Sequence, residues 1–187
     1  MDIVPKESLD IQPLEQESQE SIVVPRNVAK AFGRGLKQLI SSELQQISFA
    51  SLRGNIMPVK IERDVATITK VLDGFERAGE VMILTFEGGN DFRFSEGTEE
   101  KDPQPGEVVM DKNITPAFTS ALGHTLRNSL FKILGRAEGI ESEEGKKIYH
   151  ACNGIKKVLE SFDNAEQIEI ATDTAGNTKL KPLRTSN

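Results

Sequence analysis

The sequence predicts an α+β protein built from two similar helix–helix–β-hairpin modules arranged as a pseudo-dimer, and three observations lead there. Residues 60–90 and 147–177 align without a gap, with 12 identities in 31 positions, where ordinary residue usage yields about two. Within each aligned segment the apolar residues recur at helical spacing. Each helical stripe then gives way to an alternating strand pattern and a Gly-Asn turn. Self-similarity at a fixed offset is the signature of a duplicated unit, and two copies of one unit pack most simply about a pseudo-twofold axis.

Along the chain, residues 1–21 are acidic and rich in Glu, Gln and Ser with no apolar period, the composition of a disordered tail. The first module, residues 22–95, opens on a helix starting near Pro25 or Asn27, in which Val28, Phe32, Leu36, Leu39 and Ile40 share a face. Its second helix carries Ile61, Val65, Ile68, Leu72 and Phe75 at spacings of four, three, four and three, one apolar stripe for a core. EVMILTF is the following strand, EGGN the turn and DFRF the return. Residues 96–112, with two prolines, two glycines and six acids, read as an acidic linker with some order around Val108 to Met110. The second module, residues 113–187, repeats the scheme. Its first helix runs from about Pro116 through Phe118, Leu122, Leu126, Leu130 and Ile133. Its second carries Ile148, Cys152, Ile155, Leu159 and Phe162, and QIEIAT, TAGN and TKLKPL form the hairpin.

The formal net charge of -6 divides unevenly. The tail carries -5 and the linker -4, while the modules carry +2 and +1. The modules are therefore slightly basic, and the acidity lies outside them.

The order helix, connection, helix, hairpin has the outline of a winged-helix module, in which the helix before the hairpin enters the major groove and the hairpin touches backbone. TITKVLDGFERAGEVMILTFEGGNDFRF resembles such a helix running into a wing, a likeness of general pattern. Lys60, Arg63, Lys70 and Arg77 are spaced three, seven and seven, which at about 100° per residue keeps them opposite the apolar stripe. Lys147, His150 and Lys157 repeat part of that ridge, and Asn164 replaces Arg77. Arg93 in one hairpin and Lys179 and Lys181 in the other extend the basic set. These ten residues are the candidate contacts to nucleic acid, DNA or RNA, through phosphate neutralisation. An ordinary solvated surface is the competing explanation, because Glu62, Asp64, Asp73 and Glu76 flank the first ridge.

A second function class is a structural or adaptor subunit of a larger assembly. The first strand is apolar on both faces, and Met82, Leu84 and Phe86 would form its outward side, either covered by another part of the chain or offered to a protein partner or second subunit. Gly33 and Gly123 fall at equivalent places in the two first helices. A helix-interior glycine costs about 1 kcal/mol relative to Ala, so the pair predicts close contact of these helices at the pseudo-twofold interface.

Catalysis finds no constellation here, and no cofactor or metal site is expected. The two histidines, His124 and His150, align with Arg34 and Arg63 and read as surface basic residues without the orienting partner of a general base. Cys152 aligns with Val65 on the apolar stripe and reads as a buried thiol. No apolar run has membrane-spanning length, and the opening residues lack the features of a secretory signal. The expectation is a cytoplasmic protein without membrane partners.

Overall fold

The structure, a computed structural model, describes residues 20–97 and 105–184. It is α+β, with four helices and two three-stranded antiparallel sheets among the described residues. The elements run β1 (Ser21–Val24), α1 (Arg26–Arg53), α2 (Pro58–Arg77), β2 (Val81–Phe86), β3 (Gly89–Phe94), β4 (Gly106–Met110), α3 (Thr115–Ala137), α4 (Glu143–Ser161), β5 (Gln167–Thr172) and β6 (Thr178–Leu183). The order strand, helix, helix, strand, strand thus occurs twice.

Two boundaries differ from the sequence reading. Ser21, assigned to the tail, begins β1, and the linker contains β4. The physical reason is the same in both sheets. A lone hairpin leaves an unpaired edge of N–H and C=O groups, and the short preceding strand closes one edge of it. Val24 pairs with Val81 and Ile22 with Ile83; Met110 pairs with Ile168 and Val108 with Ile170. Strands of four and five residues are too short to display a period of their own. The rest of the tail, residues 1–19, and linker residues 98–104 lie outside the described residues.

Local chemistry sets the helix and turn boundaries. Ser142 caps α4, its hydroxyl accepting from the Gly145 N–H at 3.1 Å, and Glu143 and Glu144 occupy the first turn, where the helix dipole favours negative charge. Asp111 shapes the approach to α3 by accepting from the Asn113 and Ile114 N–H groups. In the β5–β6 turn Asp173 accepts from the Ala175 and Asn177 N–H groups and from the Asn177 side chain. The bonds from Asn177 hold its carboxyl below the usual carboxylate range. The two turn glycines singled out by the alignment, Gly89 and Gly176, have φ of 136° and 83°, a region open to glycine at little cost.

The helices pack in a ring in which each neighbour is antiparallel: α1 lies on α2 and α4, and α3 lies on α2 and α4. The sheets cross over. The first sheet, which precedes and follows the first helix pair in sequence, packs against α3, and the second packs against α1. On α1, a Cβ at Gly35 would meet Leu180 at 2.8 Å. Gln38 accepts from the Thr178 N–H at 2.8 Å and donates to the Gly176 carbonyl at 3.0 Å. On α3, the Thr125 hydroxyl donates to Asp91 of β3 at 2.9 Å.

All of this closes on a single core. Phe32 of α1 meets Phe118 of α3 at a ring-centre distance of 4.8 Å and Phe162 at 5.5 Å. Phe75 of α2 meets Phe118 at 5.4 Å and the β3 rings Phe92 and Phe94 at 4.9 and 5.3 Å. Gly33 admits this arrangement, since a Cβ there would lie 2.5 Å from that of Phe75. The two first helices meet through Phe32 and Phe118 and not at the equivalent glycines. Gly33 accommodates α2 of its own half, and Gly123 lies under the guanidinium of Arg127 on its own helix, 3.3 Å from a Cβ position.

Two core groups give direct tests. Asp64, 5% exposed, forms an ion pair with Arg136 that ties α2 to α3. Arg136→Met leaves a buried carboxylate unpaired and is expected to cost about 3–5 kcal/mol in urea unfolding. An Asp64→Leu/Arg136→Met double variant should recover most of it, and a single variant as stable as the parent would contradict the role given to the pair. Cys152 is fully buried, and desolvation pushes its thiol up to about 12. The native protein should therefore leave it unreactive toward an aromatic disulfide reagent at pH 8, with full reaction only in denaturant.

Candidate nucleic-acid interface

The site begins with how α2 is held. Pro58 at its N-terminus supplies a preset φ and no surplus donor, and the stripe Ile61, Val65, Ile68, Leu72, Phe75 turns into the core. With α1 along one flank and α3 along the other, the remaining sector faces solvent. Lys60, Arg63, Lys70 and Arg77 all lie there, exposed, and none makes an ion pair among the described residues. From Lys60 to Arg77 the ridge extends about 26 Å at ~1.5 Å per residue.

The acids of the same helix turn the other way. Asp73 and Glu76 accept from the Lys37 ammonium of α1 at 2.8 and 3.1 Å. The Asp73 hydrogen bond is the largest cause raising the Lys37 pKa, Glu76 adds to it, and partial burial opposes both. Asp64 is taken by Arg136 of α3, and Glu62 lines the groove between α1 and α2. The flanking acids that made an ordinary mixed-charge surface plausible are thus directed to the neighbouring helices. Beside Lys70 and Arg77 a recess of about 360 Å³ opens against Gly74, Phe94 and Ser95.

The second half carries a weaker version. Lys157 and His150 are exposed on α4. Lys147, however, is engaged by Glu143 and Glu144 at 3.1 and 3.3 Å, bonds that raise its pKa, Glu143 first. Lys181 pairs across the sheet with Glu169 at 2.9 Å, while Lys179 is exposed. Arg93 is exposed on the outward face of the first sheet, opposite Met82. The hairpins are not free wings: Asp91 is bound to Thr125 and the β5–β6 turn to Gln38.

The proposed protein-contact residues fall on that same outward face. Met82 and Leu84 are half-buried and Phe86 is 40% exposed, its ring 6.4 Å from that of His124. Val23 of β1, 53% exposed, stands beside Met82 and enlarges the apolar face. The periodicity of the chain gave no hint of it, because β1 has none. The sorting of charges on α2 did have a signal. Lys37 and Glu76 align with Arg127 and Asp163, and that second pair also forms, tying α3 to the end of α4.

Among the described residues no helix is long and apolar enough to cross a membrane, and no three His, Cys, Asp or Glu side chains converge to hold a metal. No family model, no curated protein and no solved structure matches this chain.

Proposed function

We propose that this is a non-enzymatic nucleic-acid-binding protein that grips phosphate backbone with the outer face of α2, with Lys157, His150 and Lys179 of the second half in a lesser role. The observation that supports this best is the division of charge on one helix: four cations on the solvent side, and four acids turned toward α1 and α3. A face evolved only for solubility gains nothing from that division, since mixed signs serve solubility well. Contacts of this kind are independent of base sequence and act through release of counterions. The two halves are read as copies of one module, supported by the gapless alignment, the repeated element order and the matched ion pairs Lys37–Glu76 and Arg127–Asp163. The winged-helix outline contributes little, because both hairpins are engaged by helices of the opposite half, at Asp91 of β3 and at the β5–β6 turn. A cytoplasmic setting accompanies this function.

The alternative is an adaptor whose docking face is the outside of the first sheet, favoured by exposed Val23 and Phe86 next to Met82 and Leu84. One titration separates the two. By fluorescence anisotropy, labelled duplex should bind with an affinity that falls with salt at a log–log slope of about -3 to -4, the value for four neutralised phosphates. Lys70→Glu is expected to weaken binding on the order of tenfold and to flatten that slope by about one. Lys157→Glu should do less, and Leu84→Asp should leave affinity unchanged. Absence of binding at low salt, or affinity untouched by Lys70→Glu but lost with Leu84→Asp, would overturn the assignment to α2.

A further inference from the structure

At the end of the helical ring where α1 passes into α2, the α1–α2 turn lies directly beside the α3–α4 turn: a Cβ at Gly54 would sit 2.9 Å from that of Glu144. The two turns have opposite character. Residues 49–60 contain Arg53 and Lys60 and no acid, whereas residues 138–144 contain Glu138, Glu141, Glu143 and Glu144 and no base. Lys147 reaches back to Glu143 and Glu144, while Glu138 and Glu141 are exposed and make no ion pair among the described residues.

Among the described residues, exposed large apolar side chains concentrate at the basic turn. Phe49 is 68% exposed, Leu52 60%, Met57 51% and Val59 83%. Four large apolar side chains within eleven residues form a patch of the kind that marks an interaction site. A groove of about 370 Å³ between α1 and α2 leads away from it, with Phe49 and Leu52 on its rim. The turn is held in a costly shape as well. Asn55 and Met57 have φ of 50° and 38°, and a methionine in the left-handed region is disfavoured by its own Cβ. Backbone strain of this sort concentrates where a surface has a task beyond stability.

We propose that this end of the molecule docks a second copy of the chain. If two copies meet end to end about a twofold axis that passes between the two turns, perpendicular to the helix axes, the basic, apolar turn of each falls on the acidic turn of the other. The contact is then made twice and closes. An anionic lipid surface would meet the basic turn equally well, but it would repel the four glutamates at the same level, so a second copy is the better match for the whole surface. The basic turn shares Lys60 with the ridge on α2, but Arg53 and Glu141 lie outside that ridge, so variants at these two positions separate docking from phosphate binding.

The test is solution mass by light scattering and sedimentation velocity at micromolar concentration and low salt, run on the full chain and on Arg53→Glu and Glu141→Arg. Both residues are exposed, and unchanged thermal melts will confirm that each variant folds. The parent should have twice the 20.6 kDa of one chain. Each variant alone should sediment as one chain, because like charges now face each other in both contacts. An equimolar mixture of the two variants should regain the doubled mass, since opposite charges then meet at both turns. A parent that stays at the mass of one chain would overturn the proposal, as would variants as dimeric as the parent. So would a parent of single-chain mass that cosediments with phosphatidylserine vesicles.

Discussion

The fold depends on an exchange of coverage between its halves, closed by a cluster of phenylalanines. Phe32, Phe75, Phe118 and Phe162 are each no more than 1% exposed, and they come from four different helical segments. Phe92 and Phe94 bring the first sheet onto them. That sheet lies mainly on α3 and the other on α1, so each half relies on a helix of the other to cover its strands, although Phe75 of α2 also reaches the first sheet from its own half. Burying aromatic surface of this size is worth about 1.5–3 kcal/mol per ring, and most of it is available only when both halves are present.

The charge arrangement on α2 is a consequence of that packing. A helix bordered by two others has two flanks and one open face. Lys37 on α1 and Arg136 on α3 draw three acids to the flanks, and the cations that remain are left to solvent. The same physics acts more weakly on α4, where Lys147 is engaged by glutamates of its own first turn and Asn164 stands where the first half has Arg77. One half therefore presents a stronger basic surface than the other, although their folds run in parallel.

The helices and hairpins were legible in the sequence because each announces itself locally. The apolar stripes of α2 and α4 have a strong period, and Gly89 and Gly176 mark turns that need positive φ. What was hidden depends on partners far along the chain. β1 and β4 exist because a hairpin edge lies next to them; of these only the order around Val108 to Met110 was legible, and residues such as Ser21 and Gly106 carry no trace of their strands. Gly33 and Gly123 look equivalent, yet one makes room for Phe75 and the other for an arginine of its own helix. The pairing of Asp64 with Arg136 has no echo in the second half, where Ala151 aligns with Asp64, so the repeat offered no guide to it.

The interdependence of the halves can be tested without any knowledge of function. Residues 20–97 and 105–184, prepared as separate chains, should each lack a cooperative thermal transition and dispersed amide resonances, and should acquire both on mixing in a one-to-one complex. A half that folds cooperatively on its own, with its sheet protected from hydrogen exchange, would contradict the exchange of coverage on which the structure depends.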